Sequence, residues 1–400
     1  MKTTYAAALS AVALIGLAGC VANNPKGAEA IAVESTAAEC KVATATATSG
    51  NISFNVKNSG DQVTEFYVLA DDGLRIIGEV ENIAVGASRA LTIQAQPGSY
   101  FTVCKPGMIG EGIGQTAFTV TGDEIAIDAS EEKATQEAVA NYTAYTKTQV
   151  GELVMGVKAL TDAYVAGNDD EARRLFPIAR INYERIEPTA EQFGDLDPKI
   201  DYRKPGADAE GLEFTGFHRI EADLWNDEAV LNYPDDEVPL LDQTGREALA
   251  DQLNTDIQAL YDQVHSADFV LTLGDITNGA IGLLDEVAAP DGKLPGEEDE
   301  FSHTDLYDFY ANVEGAEVAF GSVRDIAEAK GAEGAALVAE LDAQFKAMKD
   351  LLATYGNYDD GFVSYDTVAQ DKRNELGAQL NALSEPLAQL THTVLGVSEG

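Results

Sequence analysis

A histidine and a glutamate three residues apart, His218 and Glu221, are the residues of this chain best placed to do chemistry. On a helix, side chains at i and i+3 project from one face, so the two could grip one metal ion. Glu184 and Glu187 repeat this spacing upstream, and Asp201 lies between the two pairs. One imidazole among several carboxylates suits iron, manganese or calcium better than a structural zinc held by thiolates. The pattern therefore predicts a metal site.

Arginines near these acids support a competing interpretation. Arg180, Arg185 and Arg219 could form ion pairs with the carboxylates instead, and a His-x-x-Glu spacing also occurs on ordinary helix surfaces. In helical bundles, however, metal sites are built from pairs of this kind on facing helices. The sequence leaves both interpretations open.

The helices that such a site needs are predicted in the C-terminal two thirds of the chain. Apolar residues follow the helical period, with Gly or Pro at the breaks, in residues 135–166, 169–186, 242–267, 306–328, 333–355 and 368–394. We therefore predict an all-α helical bundle over residues 130–400. The acidic segment 289–300 is predicted to be an exposed loop.

Residues 38–129 have a different pattern. Short alternating segments rich in β-branched and aromatic residues are separated by turn signals, which predicts a small β-sandwich. Its length, and Cys104 followed by a Pro-Gly loop, resemble a cupredoxin. A blue-copper centre needs two histidines beside its cysteine, but the first histidine of the chain is His218, so that centre is excluded here. Cys40, Glu65 and Cys104 then either bind copper or iron in another geometry or form a disulfide beside an acid.

Residues 1–20 predict export. An apolar run over residues 6–18 is too short to span a membrane, as in a secretion signal. Residues 17–20, Leu-Ala-Gly-Cys, resemble a bacterial lipobox. We therefore expect Cys20 to be lipidated and residues 21–37 to form a flexible tether. An ordinary signal peptide that is cleaved nearby is the alternative.

The formal net charge of −42 excludes nucleic acid as a partner. Phosphates would be repelled, whereas cations would be attracted. A chain of 400 residues with 45% hydrophobic content can fill two cores. This fits a multidomain protein with a β domain followed by an all-α domain.

Four segments of the helical part match a known family. They are residues 183–188 (YERIEP), 193–198 (FGDLDP), 216–221 (GFHRIE) and 296–306 (GEEDEFSHTDL). Together with the preceding sandwich, they make the chain resemble the EfeO family, iron-uptake lipoproteins with a cupredoxin-like domain and an imelysin-like helical domain of a peptidase family. The resemblance covers nearly all of the mature chain.

The resemblance implies a protein that captures iron in the periplasm or on the outer face of the cytoplasmic membrane. It implies delivery to an iron permease that works with a haem peroxidase. It also implies that Fe3+ or Fe2+ is held by the residues on the family's motifs, with zinc tolerated in vitro. These residues are His218, Glu221, Glu184, Glu187 and Asp201, with Glu286 as a weaker candidate.

Two enzymatic functions remain as alternatives. A metallopeptidase of the imelysin-like family would need an open coordination position and a general base, and the chain lacks a His-Glu-x-x-His motif. A metal-dependent ferrous oxidase would need a redox metal near Cys104. Because the sequence carries no other enzyme signature, we expect a binding protein rather than an enzyme.

Overall fold

The structure is a computed structural model, and the part of the chain that it describes begins at residue 30. The described residues are 30–71, 73, 76–108, 112–123, 129–187, 189, 194–234, 238–267, 269–290 and 292–396. The predicted signal segment and Cys20 lie outside them. Strands come first and long helices follow, which confirms the predicted β domain and all-α domain.

The N-terminal domain is a sandwich of two sheets. Its strands are β1 (Ile31–Ser35), β2 (Cys40–Val42), β3 (Thr46–Thr48), β4 (Gly50–Asn58), β5 (Thr64–Leu69), β6 (Ile76–Ile83), β7 (Ser88–Ala95), β8 (Gly98–Pro106) and β9 (Ile113–Thr121). One sheet has the order β2-β1-β4-β7 and the other the order β3-β9-β8-β5-β6. Between the sheets, the ring centroid of Phe54 lies 5.2 Å from that of Phe66 and 5.5 Å from that of Phe118. The alternating apolar residues of the sequence thus meet in one core.

The sandwich begins earlier than the sequence suggested. Strand β1 lies inside the segment 21–37 that was expected to be a tether. It pairs in parallel with β4, with Ile31 opposite Phe54, and Val33 is buried in the core. A strand that supplies both ladder hydrogen bonds and core packing is part of the domain, so the predicted boundary at residue 38 is corrected.

The second domain is helical. Its helices are α1 (Ala129–Val165), α2 (Asp169–Glu184), α3 (Asp197–Ile200), α4 (Lys204–Glu210), α5 (Gly216–Leu224), α6 (Asn226–Asn232), α7 (Gln243–His265), α8 (Leu273–Val287), α9 (Asp305–Glu328), α10 (Ala332–Leu352), α11 (Gln370–Leu387) and α12 (Leu390–Leu395). A short hairpin, β10 (Gly356–Asn357) and β11 (Gly361–Phe362), separates α10 from α11. Helix α8 is absent from the predicted amphipathic stretches because its glycines lower the helix propensity, and burial of Leu283 and Leu284 overrides that preference.

Two apolar clusters make up the core of the helical domain. The first joins α1, α2, α5 and α7 around residues such as Phe176 and Leu253. The second joins α8 to α11 around residues such as Phe309 and Leu341. Arg180 on α2 pairs with Asp308 on α9, so charged groups lie where the two clusters meet.

Helix α8 also contacts the sandwich. Arg89 of β7 forms an ion pair of 2.8 Å with Asp285, and Asn278 Nδ2 donates a hydrogen bond of 3.0 Å to the carbonyl oxygen of Thr92. These polar contacts fix the sandwich beside the helical core. None of the described helices is long and apolar enough to cross a membrane.

Gly216 fixes the start of the helix that carries His218. Its φ is +73°, and a Cβ added there would overlap the carbonyl oxygen of Ile200. We expect Gly216→Ala to lower the free energy of unfolding by about 3 kcal/mol, because the strain of left-handed backbone adds to the steric overlap. Urea unfolding followed by the fluorescence of Trp225, the one tryptophan of the chain, measures the loss.

Gly211→Ala is the matched control for this substitution. Gly211 has a φ of +69°, but an added Cβ would meet nothing within 4 Å. Only the backbone cost of about 1 to 2 kcal/mol is therefore expected. Equal losses in the two variants would show that the contact with Ile200 is unimportant.

Candidate metal site

Acidic side chains from several elements converge at the junction of the two apolar clusters. Helix α2 and the turn after it supply two glutamates, an aspartate directly follows α3, and α5 supplies the histidine and another glutamate. Five predicted ligands lie here, all buried: Glu184, Glu187, Asp201, His218 and Glu221. We call this group, together with Glu298 and Asp299, the acid cluster.

His218 lies in the acid cluster with both ring nitrogens close to carboxylates. Its Nδ1 is 3.0 Å from Glu221 Oε2, and its Nε2 is 3.5 Å from Asp201 Oδ1 and 3.4 Å from Glu298 Oε1. Burial, together with the charge of Arg180, lowers the pKa of His218 to about 3. The imidazole is therefore neutral at physiological pH, and a neutral ring offers one nitrogen lone pair to a metal.

Three sets of side chains within the acid cluster could each hold a metal ion. In each set, one ligand atom per residue lies within 4.8 Å of the others. The sets are Asp201 with His218 and Glu298, His218 with Glu221 and Asp299, and Glu184 with Glu187 and Asp201. Because His218 and Asp201 each belong to two sets, the three sets form one continuous group of donors.

Arg180 lies fully buried among these acids, as the competing interpretation predicted. Its guanidinium forms hydrogen bonds with Glu184 and Asp201 and an ion pair of 3.3 Å with Asp308. Its Nη1 is also 3.3 Å from His218 Nε2. Burial alone would lower the pKa of Arg180, but the surrounding carboxylates raise it well above its usual value. The guanidinium is thus a permanent internal cation.

Lys293 is a second internal cation. Its Nζ lies 3.2 Å from both Glu184 Oε2 and Glu187 Oε2, and 2.9 Å from Glu286 Oε1. Burial opposes its charge, but these glutamates raise its pKa well above the usual range. A metal ion that bound here would therefore compete with the guanidinium of Arg180 and the ammonium of Lys293 for the same carboxylate oxygens.

Burial also makes several of the acids hold protons more tightly. It raises the pKa of Glu221, with a further rise from the charge of Asp299. Burial likewise raises the pKa of Glu187. It also raises the pKa of Asp201, although the nearby charge of Arg180 opposes this effect. A metal ion that binds these carboxylates would displace protons as well as the internal cations.

The chemistry of the donors fits iron. Hard carboxylate oxygens with one neutral imidazole suit Fe3+ and Fe2+ better than a thiolate-type metal. Within the described part of the chain, Asp299 Oδ1, Asp305 Oδ2 and Asp308 Oδ1 are buried without a hydrogen-bond partner. Buried polar atoms usually have hydrogen-bond partners. Around the cluster, the carboxylate oxygens therefore outnumber the hydrogen-bond donors.

The acidic segment 289–300 is not the exposed loop that the sequence predicted. Lys293 and Asp299 are fully buried and Glu298 is only 3% exposed. The prediction was wrong because a run of charges normally indicates solvent contact, whereas here opposite charges from α2 neutralise it. The single lysine of this segment, Lys293, was the one sequence signal for internal pairing. Glu298 and Asp299 were missed for this reason.

Glu286 is set apart from the other predicted ligands. It accepts a hydrogen bond from Lys293, but none of the candidate metal-binding sets found among the described residues includes it. It lines a cavity of about 200 Å³ between the sandwich and the helical domain. Glu187, Asp201 and Glu298 line the same cavity, so it leads from the domain interface to the acid cluster.

The sandwich does not bring its three predicted residues together. Cys40 and Cys104 are joined by a disulfide, with Cα atoms 5.4 Å apart. In the ladder between β5 and β8, Phe66 lies opposite Cys104 in the core, whereas Glu65 lies opposite Lys105. Because side chains alternate along a strand, Glu65 is on the other face of the sheet, where it lines the interdomain cavity. The predicted grouping of Glu65 with the cysteines is therefore corrected.

The fold and the acid cluster define a two-domain protein with a cupredoxin-like sandwich and a helical domain that carries a candidate metal site. Residues 138–390 match the Imelysin family, and residues 7–113 match the family described as Cupredoxin-like domain. An imelysin-like protein of Psychrobacter arcticum 273-4 is 12% identical, with a TM-score of 0.43 over 69% of this chain and 99% of that chain. A likeness at that level supports no conclusion by itself.

Two relatives are much more similar in sequence. The iron uptake system component EfeO of Escherichia coli O1:K1 / APEC is 36% identical over 364 residues, which are 90% of this chain and 89% of that protein. EfeO of Escherichia coli strain K12 is 35% identical over the same shares. The chain belongs to the EfeO family.

Proposed function

We propose that the protein is a component of an iron uptake system and that it binds iron, as its cargo, in the acid cluster. The observation that carries this proposal is the buried convergence of His218 with carboxylates from α2, α5, the residue after α3 and the connection between α8 and α9. The names of the relatives, iron uptake system component EfeO, support iron as the metal.

The interdomain cavity is the proposed route of entry. Its walls carry acidic side chains from both domains, among them Glu65 from the sandwich and Glu187 from the helical domain. A cation that enters would be attracted by the net charge of −42 and would reach Asp201 and Glu298 from the cavity side. Binding then requires the guanidinium of Arg180 and the ammonium of Lys293 to give up some of their carboxylate contacts.

The test is the double substitution His218→Ala with Glu221→Ala. It removes the nitrogen donor from two of the three candidate sets, and an oxygen donor from one of these two. Changing residues that only orient metal ligands weakens binding by about 10 to 100-fold, so we expect a loss of at least about 100-fold here. Equilibrium dialysis with Fe2+ under nitrogen and with chelated Fe3+, followed by elemental analysis, measures it.

Asp262→Ala with His265→Ala is the matched control. These two residues keep the three-residue spacing of an acid and an imidazole, but both are exposed on α7. The control should bind iron like the wild type. Unchanged stoichiometry and affinity in the His218 and Glu221 variant would reject the proposed site. Ferrous oxidation or peptide cleavage by the pure protein would instead favour an enzyme.

We further propose that the protein works outside the cytoplasmic membrane, anchored through lipid on Cys20, and passes iron to a permease that works with a haem peroxidase. The Leu-Ala-Gly-Cys sequence at residues 17–20 supports the anchor. The disulfide between Cys40 and Cys104 supports an oxidising compartment, since such bonds are rare in the cytosol.

A further inference from the structure

Arg219 is a buried cation that the acid cluster does not use. It follows His218 on α5, is 7% exposed, and donates from Nη2 to the carbonyl oxygen of Pro239 at 2.6 Å. Among the described residues, its Nη1 has no hydrogen-bond partner and no carboxylate lies within ion-pair distance of it. The nearby Asp223 is paired with Arg246 instead, at 2.8 Å.

Arg219 lines a cavity of about 570 Å³ that shares no lining residue with the interdomain cavity. Apolar side chains form most of its wall, including Leu212, Phe214, Leu241 and Leu249. Cavities of this size and composition, with a small number of polar groups, are typical of sites for small organic ligands.

We propose that this cavity binds a small organic carboxylate with an apolar body, and that Arg219 contacts its carboxylate. A guanidinium with a free N–H pairs well with a planar carboxylate. The leucine and phenylalanine side chains would cover the apolar body of the ligand. An inorganic anion has no such body and could not make these contacts.

The charges around the cavity allow an anion to bind. At the rim, the exposed side chains of Lys199 and Glu213 have opposite signs and largely offset each other. The net charge of −42 acts over longer distances, and salt screens such interactions beyond about 10 Å. The direct contact with Arg219 therefore dominates. The proposal is independent of iron binding, because no residue of the acid cluster lines this cavity.

Octanoate is a suitable probe, with 1-octanol as its neutral counterpart. Isothermal titration of the full-length protein at fixed ionic strength should show binding of octanoate that is at least about tenfold tighter than that of octanol. Arg219→Met should weaken octanoate binding at least about tenfold, whereas Arg324→Met, which removes an exposed arginine of α9, should leave it unchanged.

A second variant keeps the test valid if Arg219→Met folds poorly. Ala248 is an exposed lining residue on α7, so Ala248→Trp should obstruct the cavity and weaken octanoate binding at least about tenfold while Arg219 stays in place. The proposal is overturned if the wild type does not bind octanoate, or if octanol binds equally well. Unchanged binding in both variants, or displacement of octanoate by phosphate at equal ionic strength, would also overturn it.

Discussion

Replacing Arg180 by methionine is expected to lower the free energy of unfolding of the metal-free protein by about 3 to 5 kcal/mol. The guanidinium is fully buried and forms ion pairs with carboxylates from α2, α9 and two connecting segments. Methionine fills a similar volume without a charge, so the acids would keep their burial but lose their main cation. Buried charges that lose a partner are strongly destabilising, whereas exposed pairs contribute little.

Urea unfolding in the presence of chelator measures this effect, with Trp225 fluorescence as the signal. Trp225 packs against Phe176, 5.6 Å between ring centroids, and so reports on the helical domain near the site. Arg324→Met is the control, because its partners Glu328 and Asp342 are about half exposed, and a change below about 1 kcal/mol is expected. A loss of that small size in Arg180→Met would mean that the acids are neutralised by protons rather than by the guanidinium.

Replacing both Cys40 and Cys104 by alanine is expected to destabilise the sandwich by about 4 kcal/mol. The disulfide closes a loop across a sequence separation of 64 residues, and a cross-link of that span restricts the unfolded chain strongly. Cys104 is also fully buried in the sandwich core, so its loss removes some packing.

Calorimetry should show this loss as a lower unfolding temperature of the sandwich, while the transition reported by Trp225 shifts less. Wild-type protein treated with a thiol reductant should lose similar stability, and the alanine variant should not respond to the reductant. A wild type that is indifferent to the reductant would show that the disulfide does not stabilise the fold.

The strongest sequence signals were those that depend on local periodicity. The three-residue spacings of Glu184 with Glu187 and of His218 with Glu221 predicted side chains on shared helix faces, and all four are buried in one place. The pattern of apolar and polar residues also predicted the sandwich and the long helices. A strand or helix that buries one face has apolar residues at regular intervals in the sequence. Local spacing alone could identify these residues because the members of each pair are only three residues apart along the chain.

The remaining features of the site depend on contacts between distant segments. Whether Arg180 would point outward or into the acids could not be decided locally, since a helix surface and a helix interface use the same residue types. Glu298 and Asp299 looked solvated because two of their neutralising partners, Arg180 and Arg203, come more than ninety residues earlier in the chain. Glu65 and Cys104 lie on opposite faces of the sheet because of the register between β5 and β8. A shift of one residue would place them on the same face, and the sequence does not fix this register locally.

The two internal cations, Arg180 and Lys293, also determine how the protein would change when iron binds and when it is released. Many metal-dependent domains are unfolded until their ion arrives, because empty ligands repel one another. Here Lys293 and Arg180 pair with the carboxylates of the acid cluster, so the acids are neutralised by the protein's own side chains. On the proposed function, iron would replace these two side chains at the carboxylates. When iron is released, the same side chains would pair with the carboxylates again. Such reversible exchange suits a protein that transports iron better than one that stores it.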